Sequence, residues 1–155
     1  MSTRKITILM ADDDDDDFVL TKKALAKSKL LNDLHRVRDG EELMRYLHQT
    51  GKYSNKKTWQ RPIIILLDLN MPRKDGREVL KEIKSDKNLK DIPVVIFTTS
   101  KAEEDIFRAY QLGVNSFITK PVTFDGIVQV VKALGNYWFE IVELPDGDGS
   151  GTQTV

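Results

Sequence analysis

The sequence predicts an α/β fold in which a doubly wound parallel sheet of five strands is covered by five helices. Short apolar runs rich in β-branched residues alternate with longer stretches of helical periodicity, and the chain has no internal repeat. Two of these runs, residues 63–67 and 94–97, are continuously apolar, as is typical of strands buried on both faces. With 155 residues, 40% of them hydrophobic, the chain can bury the core of one domain.

The first half of the chain predicts two strand–helix units and a loop. Residues 6–10 and, more weakly, 34–37 have the composition of strands. A helix over 15–29 follows the first strand, and a second helix follows Asp39-Gly40. Their inward-facing positions are predicted to be Leu20, Ala24, Leu25, Leu43, Met44 and Leu47. Residues 50–60 are polar and basic with interspersed Gly, Ser and Asn, which predicts an exposed loop.

The second half predicts three more units and a tail. Strands are expected at 63–67, 94–97 and 116–119, and helices after Asp75-Gly76, over 102–112 and from about Thr123. The inward-facing helical positions are Val79, Leu80, Ile83, Ile106, Ala109, Tyr110, Ile127, Val130, Val131, Leu134, Trp138 and Ile141. Residues 146–155 are mostly Gly, Ser, Asp and Thr, which predicts a disordered tail.

Composition excludes several classes of function. Lys plus Arg and Asp plus Glu both number 24, so the net charge of zero gives no reason to expect a nucleic-acid or membrane partner. The absence of cysteine excludes disulfides, thiolate metal sites and thiol catalysis. No apolar run reaches membrane-spanning length and the N-terminus lacks a secretory signal, so we expect a cytoplasmic protein.

The residues that could bind a ligand or take part in a reaction lie at the ends of the predicted strands. Ligands of such sheets gather at the carboxyl ends of the strands, beside the point where the strand order reverses. The polar residues expected at this edge are Asp12, Asp13, Asp68, Thr98, Thr99, Ser100 and Lys120. The fold therefore brings together three carboxylates, hydroxyls and an ammonium, although the chain separates them by more than a hundred residues.

This group of charges predicts a metal site. Carboxylates packed closely in a partly dry site repel each other, and Lys120 alone cannot offset three of them. Oxygen ligands without cysteine or a well-placed histidine favour Mg²⁺ or Mn²⁺ over zinc. Asp68, held against a cation and a lysine, would also be a competent nucleophile toward phosphorus.

The run of six aspartates from Asp12 to Asp17 has a divided interpretation. Asp12 and Asp13 are expected to serve the ion, whereas Asp14 to Asp17 are expected to begin a helix, where the helix dipole stabilises them. The pattern argues against a calcium-binding loop, because the sixth position of such a loop needs glycine and here is Asp17.

Residues 5 to about 139 resemble the receiver domain of two-component response regulators. The resemblance is carried by Asp12-Asp13, Asp68 within Leu-Leu-Asp-Leu-Asn-Met-Pro, Thr98, Phe117 and Lys120-Pro121. It implies a flavodoxin-like fold with strand order 2-1-3-4-5, and a receiver domain over 5–145. It also implies that Asp68 becomes a 4-aspartylphosphate by accepting a phosphoryl group from a sensor histidine kinase.

The same resemblance implies roles for the surrounding residues. Asp13, Asp68 and the backbone carbonyl of Asn70 would bind Mg²⁺, with Asp12 assisting mainly through water. Lys120 would pair with the phosphoryl oxygens, and the Lys120–Pro121 peptide is expected to be cis. Thr98 and Phe117 would then move together and rearrange the surface formed by the fourth helix, fifth strand and fifth helix, through which a homodimer is also expected.

Some features depart from the usual pattern of the family, and others point to a subgroup within it. Thr99 is bulkier than the residue usual in receivers, and Asn70 and Ser100 occupy two positions that vary among receivers and tune dephosphorylation. The long 50–60 loop and the ending around Tyr137-Trp138-Phe139 are similar to stand-alone regulators of bacterial phytochrome kinases. Such a regulator is expected to assist its own phosphotransfer and dephosphorylation without being an enzyme, and to signal through a partner protein.

Two other functions share parts of this pattern. Phosphatases of the haloacid-dehalogenase type also use a strand-end aspartate with Mg²⁺, but place a general-acid aspartate two residues later, where this chain has Asn70. A flavodoxin-like binding module would need a phosphate-binding loop after the first strand, where six aspartates would repel phosphate.

Overall fold

A computed structural model describes residues 6–27 and 32–141 of the protein. It contains a parallel sheet with strand order β2-β1-β3-β4-β5, as predicted. The strands are β1 (Ile6–Ala11), β2 (Asn32–Val37), β3 (Ile64–Leu67), β4 (Val94–Thr98) and β5 (Ser116–Thr119). Each predicted strand is therefore present, within two residues of its expected start and one of its expected end.

The helices alternate with the strands. They are α1 (Asp15–Lys27), α2 (Gly40–Leu47), α3 (Gly76–Ser85), α4 (Glu103–Gln111) and α5 (Phe124–Ile141), with a short 3₁₀ helix over Gly51–Tyr53. Asp39 and Asp75 cap α2 and α3 by accepting hydrogen bonds from the backbone N–H groups of Glu42 and Arg77. The expected tail, the boundary at 145 and the side chains of Trp138 and Ile141 lie outside the described part of the structure.

The sheet separates two apolar layers. Along β1, Leu9 and Ala11 face the core beneath α2, α3 and α4, while Ile8 and Met10 face the core beneath α1 and α5. All four residues of β3 and all five of β4 are buried, which confirms that these strands are covered on both faces. The carboxyl ends of β1, β3 and β4 are therefore held rigidly at one edge of the sheet.

The prediction that Tyr110 faces inward is wrong. It was expected to face the core from α4, but the side chain is 51% exposed. Its hydroxyl accepts a hydrogen bond of 3.2 Å from the backbone N–H of Phe117. Because β5 is an edge strand, this N–H lacks a partner strand, and the phenol satisfies it from outside the core.

The segment 50–60 is mostly exposed, as predicted, but two of its aromatic side chains are half-buried. Tyr53 and Trp59 pack against the core, and the indole N–H of Trp59 donates a hydrogen bond of 2.8 Å to the carbonyl of Tyr46. The Tyr46 hydroxyl in turn donates to the carbonyl of Gln60. Two aromatic side chains thus anchor a segment whose composition is otherwise that of a solvated loop.

Within the described residues, every helix is too short or too polar to cross a bilayer.

Candidate functional site

Three aspartates meet at the carboxyl edge of the sheet. Asp12 and Asp13 follow β1, Asp68 follows β3, and each offers a carboxylate oxygen within 4.8 Å of the other two. Asp12 is 1% exposed and Asp68 is 5% exposed, whereas Asp13 faces solvent. The structure therefore brings together the three carboxylates that the sequence placed at strand ends.

Lys120 extends from the end of β5 into this group. Its Nζ lies 3.0 Å from Asp68 Oδ2, 2.8 Å from Asp12 Oδ2 and 2.6 Å from Asp17 Oδ2. Only 7% of the lysine side chain is exposed, so these contacts replace most of its solvation. The site thus holds four carboxylates, counting Asp13, but only one ammonium, which leaves it with an excess of negative charge.

Burial has a clear electrostatic effect at Asp12. Loss of solvation raises the pKa of this carboxyl from 3.8 to about 6. The nearby Lys120 ammonium, and the Asp14 N–H that donates a hydrogen bond of 2.9 Å to Asp12 Oδ1, only partly oppose that rise. Asp12 Oδ2 is close to Lys120 but has no hydrogen-bond partner with good geometry. Burial would lower the pKa of Lys120, yet its three carboxylate partners outweigh this and raise the pKa above its ordinary value.

Asp68 Oδ1 has two donors. The Thr98 hydroxyl, fully buried at the end of β4, donates a hydrogen bond of 2.7 Å, and the backbone N–H of Asn70 donates one of 3.0 Å. The amide nitrogen of the Asn70 side chain lies 3.5 Å from the Thr98 hydroxyl. Asp68 is thus the central carboxylate, in contact with residues from three different strand ends.

Gly76 shapes the loop that carries Asp68 and Asn70. A Cβ at this position would lie 2.3 Å from the carbonyl oxygen of Asp68 and 2.6 Å from the Cα of Leu69. The N–H of Gly76 also donates a hydrogen bond of 3.0 Å to the carbonyl of Leu69. The start of α3 therefore packs directly on the backbone of Asp68, which requires the absence of a side chain.

Phe117 and Pro121 complete the set of residues predicted from the sequence. Phe117 is half-buried and packs against the apolar layer beneath α2, α3 and α4, outside the carboxylate cluster. The Lys120–Pro121 peptide was expected to be cis, and this is wrong, because every peptide bond in the described residues is trans. The trans form is the intrinsically favoured isomer, and here the Lys120 N–H donates to the carbonyl of Thr98 at 2.8 Å.

Asp17 is the site residue that sequence reasoning missed. It was expected only to begin a helix, but its carboxylate reaches Lys120 from the first turn of α1. Its place in the first turn of the helix that follows Asp12 and Asp13 was an available signal, since that turn begins at the edge of the sheet where β1 ends. The other aspartates of the run do behave as expected: Asp14 accepts hydrogen bonds from the N–H groups of Asp16 and Asp17, and Asp15 pairs with Arg36 and Arg38.

The donor set fits a hard divalent cation. Asp12, Asp13 and Asp68 supply oxygen atoms only, and the buried Asp12 carboxylate has an oxygen that lacks a well-directed partner. A cation bound there would reduce the repulsion between these groups. The same geometry leaves Asp68 as a buried carboxylate flanked by a hydroxyl and an ammonium, an arrangement suited to forming and stabilising an acyl phosphate.

Comparison with known proteins identifies the family. The response regulator receiver domain matches residues 8–132. Response regulator Rcp1 of a Synechocystis species is 43% identical over 138 residues, which span 89% of this chain and 92% of Rcp1.

Solved structures agree with this match. The phosphorylated cyanobacterial phytochrome response regulator RcpA is 46% identical with a TM-score of 0.83, and the match covers 92% of this chain and all of RcpA. The Mn²⁺-bound form of Rcp1 is 42% identical with a TM-score of 0.82, covering 91% of this chain and 99% of that structure. The chain therefore belongs to the response regulator receiver domain family, whose members are signalling domains of two-component systems.

Proposed function

We propose that Asp68 is the phosphoryl acceptor of this receiver and that a sensor histidine kinase is the donor. The observation that carries the proposal is the set of contacts on Asp68. One oxygen binds Lys120, and the other accepts hydrogen bonds from Thr98 and the Asn70 N–H. In the transfer, the phosphorus–nitrogen bond of a phosphohistidine breaks as a bond forms between phosphorus and an Asp68 oxygen.

Mg²⁺ is the cofactor that we assign to this reaction. Asp12, Asp13, Asp68 and the backbone carbonyl of Asn70 would hold it, and it would supply positive charge to the oxygens of the transferring group. Lys120 would offset the remaining charge, since it already contacts Asp68 in the resting protein. We also propose that the site assists dephosphorylation, with water as the acceptor.

Thr98 and Phe117 are the proposed switch residues. A phosphoryl group adds about 1.5–2 negative charges at Asp68, and a hydroxyl that already donates to this carboxylate can turn toward the new oxygens. The half-buried ring of Phe117 would respond to that movement. The output surface would then be α4, β5 and α5, where Phe107 and Val122 are prominently exposed apolar side chains. We propose this surface for a protein effector and for a homodimer.

The relatives guide the choice of kinase. Because RcpA is a cyanobacterial phytochrome response regulator, we propose a phytochrome-type kinase as the donor.

Two further expectations from the sequence belong to this proposal. The protein is cytoplasmic, and its receiver domain ends near residue 145.

Labelling with acetyl phosphate tests the acceptor directly. In the presence of Mg²⁺, wild type should gain one phosphoryl group and Asp68→Asn none, as measured by intact-protein mass or phosphate-affinity electrophoresis. Asp91→Asn is the matched control, because Asp91 is an exposed aspartate ahead of β4. Equal labelling of wild type and Asp68→Asn would refute the assignment.

A phosphomonoester assay separates this function from the phosphatase alternative. Asn70 cannot deliver a proton to a leaving alcohol, so we expect no multiple turnover of a generic phosphomonoester. Turnover that Asp68→Asn abolishes would instead favour the phosphatase.

A further inference from the structure

Arg77 and Asp105 form an ion pair that joins the first turn of α3 to the first turn of α4. Arg77 Nε donates to Asp105 Oδ1 and Arg77 Nη2 donates to Asp105 Oδ2, both at 2.7 Å. Such a two-point contact fixes orientation as well as distance. The Asp105 side chain is 12% exposed, so the pair is shielded from solvent on the aspartate side. We call Arg77 and Asp105 the α3–α4 clamp.

The clamp holds the loop that follows β4. Asp105 Oδ2, besides binding Arg77, accepts a hydrogen bond of 2.7 Å from the Ser100 hydroxyl. The Ser100 hydroxyl also accepts one of 3.3 Å from the N–H of Ala102. Hydrogen bonding to Arg77 lowers the pKa of Asp105 to about 2, so this carboxylate stays ionised and keeps both partners throughout the physiological range. Ser100 is therefore fixed relative to α4.

The clamp also holds the loop that follows β3. The Arg77 guanidinium contacts the Asp75 carboxylate at 3.1 Å and the carbonyl of Leu69 at 3.4 Å, and it lies 3.5 Å from Asn70 Oδ1. Leu69 and Asn70 are the two residues directly after Asp68. A single guanidinium thus restrains the backbone on one side of the acceptor while its carboxylate partner restrains Ser100 on the other.

Both restrained residues reach the acceptor. The Asn70 N–H donates to Asp68 Oδ1, and the Ser100 N–H lies 3.5 Å from the Thr98 hydroxyl, which itself donates to Asp68 Oδ1. The contacts form a ring that begins at Asp68 and closes through the clamp. Neither clamp residue has a hydrogen bond or ion pair to Asp68, so any effect on it must act through these neighbours.

We propose that the α3–α4 clamp sets the lifetime of the phosphoryl group on Asp68. This inference rests on the proposed function and names two positioning residues for it. By fixing Asn70 and Ser100, the clamp holds the Thr98 hydroxyl and the Asn70 N–H in line with the acceptor oxygen and keeps both loops closed around it. When the Arg77–Asp105 ion pair is removed, these donors are no longer aligned with the acceptor oxygen and water reaches the phosphoryl group more easily. The acyl phosphate therefore hydrolyses faster.

The test is the decay of phosphorylated protein after removal of acetyl phosphate, with Mg²⁺ present. We expect Asp105→Asn and Arg77→Gln to decay about threefold to tenfold faster than wild type. Ser100→Ala, which leaves the ion pair intact, should accelerate decay in the same direction. The double variant Ser100→Ala with Asp105→Asn should decay no faster than Asp105→Asn alone, because both changes interrupt one path.

Glu104→Gln is the control, since it removes an exposed carboxylate from the first turn of α4, next to Asp105. It should decay at the wild-type rate. Decay of the clamp variants at or below the wild-type rate, or additive effects in the double variant, would overturn the proposal. If wild type accepts no phosphoryl group, both the proposed function and this inference fail. If wild type is labelled and the clamp variants decay at the wild-type rate, this inference fails while the proposed function stands.

Discussion

Replacing Asp12 with asparagine should stabilise the metal-free protein at neutral pH. The Asp12 carboxylate is 1% exposed, and burial raises its pKa from 3.8 to about 6. Between these values the folded protein holds a proton that the unfolded chain has released. Raising the pH through this interval therefore costs the folded state free energy, because a buried carboxylate must ionise. Asparagine does not titrate and avoids that cost.

The structure gives the size of the effect. A pKa displaced from 3.8 to about 6 corresponds to about 3 kcal/mol, at about 1.4 kcal/mol for each pH unit. Asp12→Asn and wild type should thus differ little in this respect near pH 4, and the difference should grow to about 3 kcal/mol in favour of the variant above pH 6. For a chain of this size that is a rise in Tm of roughly 6–12 °C.

Urea denaturation at several pH values measures the difference. With a chelator present, the free energy of unfolding of Asp12→Asn minus that of wild type should increase from about pH 4 to about pH 7. With Mg²⁺, wild type should recover stability by binding the ion and the variant should recover less. Asp91→Asn should show no comparable increase. A difference that is independent of pH, or a wild type that is more stable at neutral pH without metal, would refute the reasoning.

Two further substitutions test the packing around the site. Gly76→Ala places a Cβ 2.3 Å from the Asp68 carbonyl oxygen, so we expect a lower Tm together with slower acetyl phosphate labelling; unchanged values of both would contradict the close approach. Trp59→Ala removes a half-buried ring and a hydrogen bond to Tyr46, and should lower the free energy of unfolding by about 2–4 kcal/mol in urea while labelling at Asp68 persists. A loss below about 0.5 kcal/mol would mean that segment 50–60 is not anchored.

Much of the site could be predicted because it depends on local pattern. Continuous apolar runs identify buried strands, and in a parallel sheet the residue after each run must lie at the common carboxyl edge. Asp12, Asp68 and Lys120 follow from that rule alone, and the structure brings them within contact distance. The strand order was likewise predicted, through the family resemblance, and the structure has it.

Other features could not be read from pattern. The polar composition of segment 50–60 did not indicate that it is anchored, because one tryptophan and one tyrosine bury enough apolar surface to hold a segment that is otherwise polar. Helical periodicity assigned Tyr110 to the core, although the edge of β5 offers its hydroxyl a partner outside. The aspartate run did not reveal which of its members would reach Lys120. Asp12 reaches it from the end of β1, whereas Asp17 reaches it from the first turn of α1.

The sequence by itself determined the fold class and the cluster of acidic groups at one edge of the sheet, because strand periodicity and chain order suffice to place strand ends. Only the tertiary structure decided which charges pair across elements: Asp17 with Lys120, and Arg77 with Asp105. Such pairs depend on how far apart helices lie and how they are rotated about their axes. Those quantities are set by the packing of whole apolar faces, and the spacing of any two residues along the chain does not contain them.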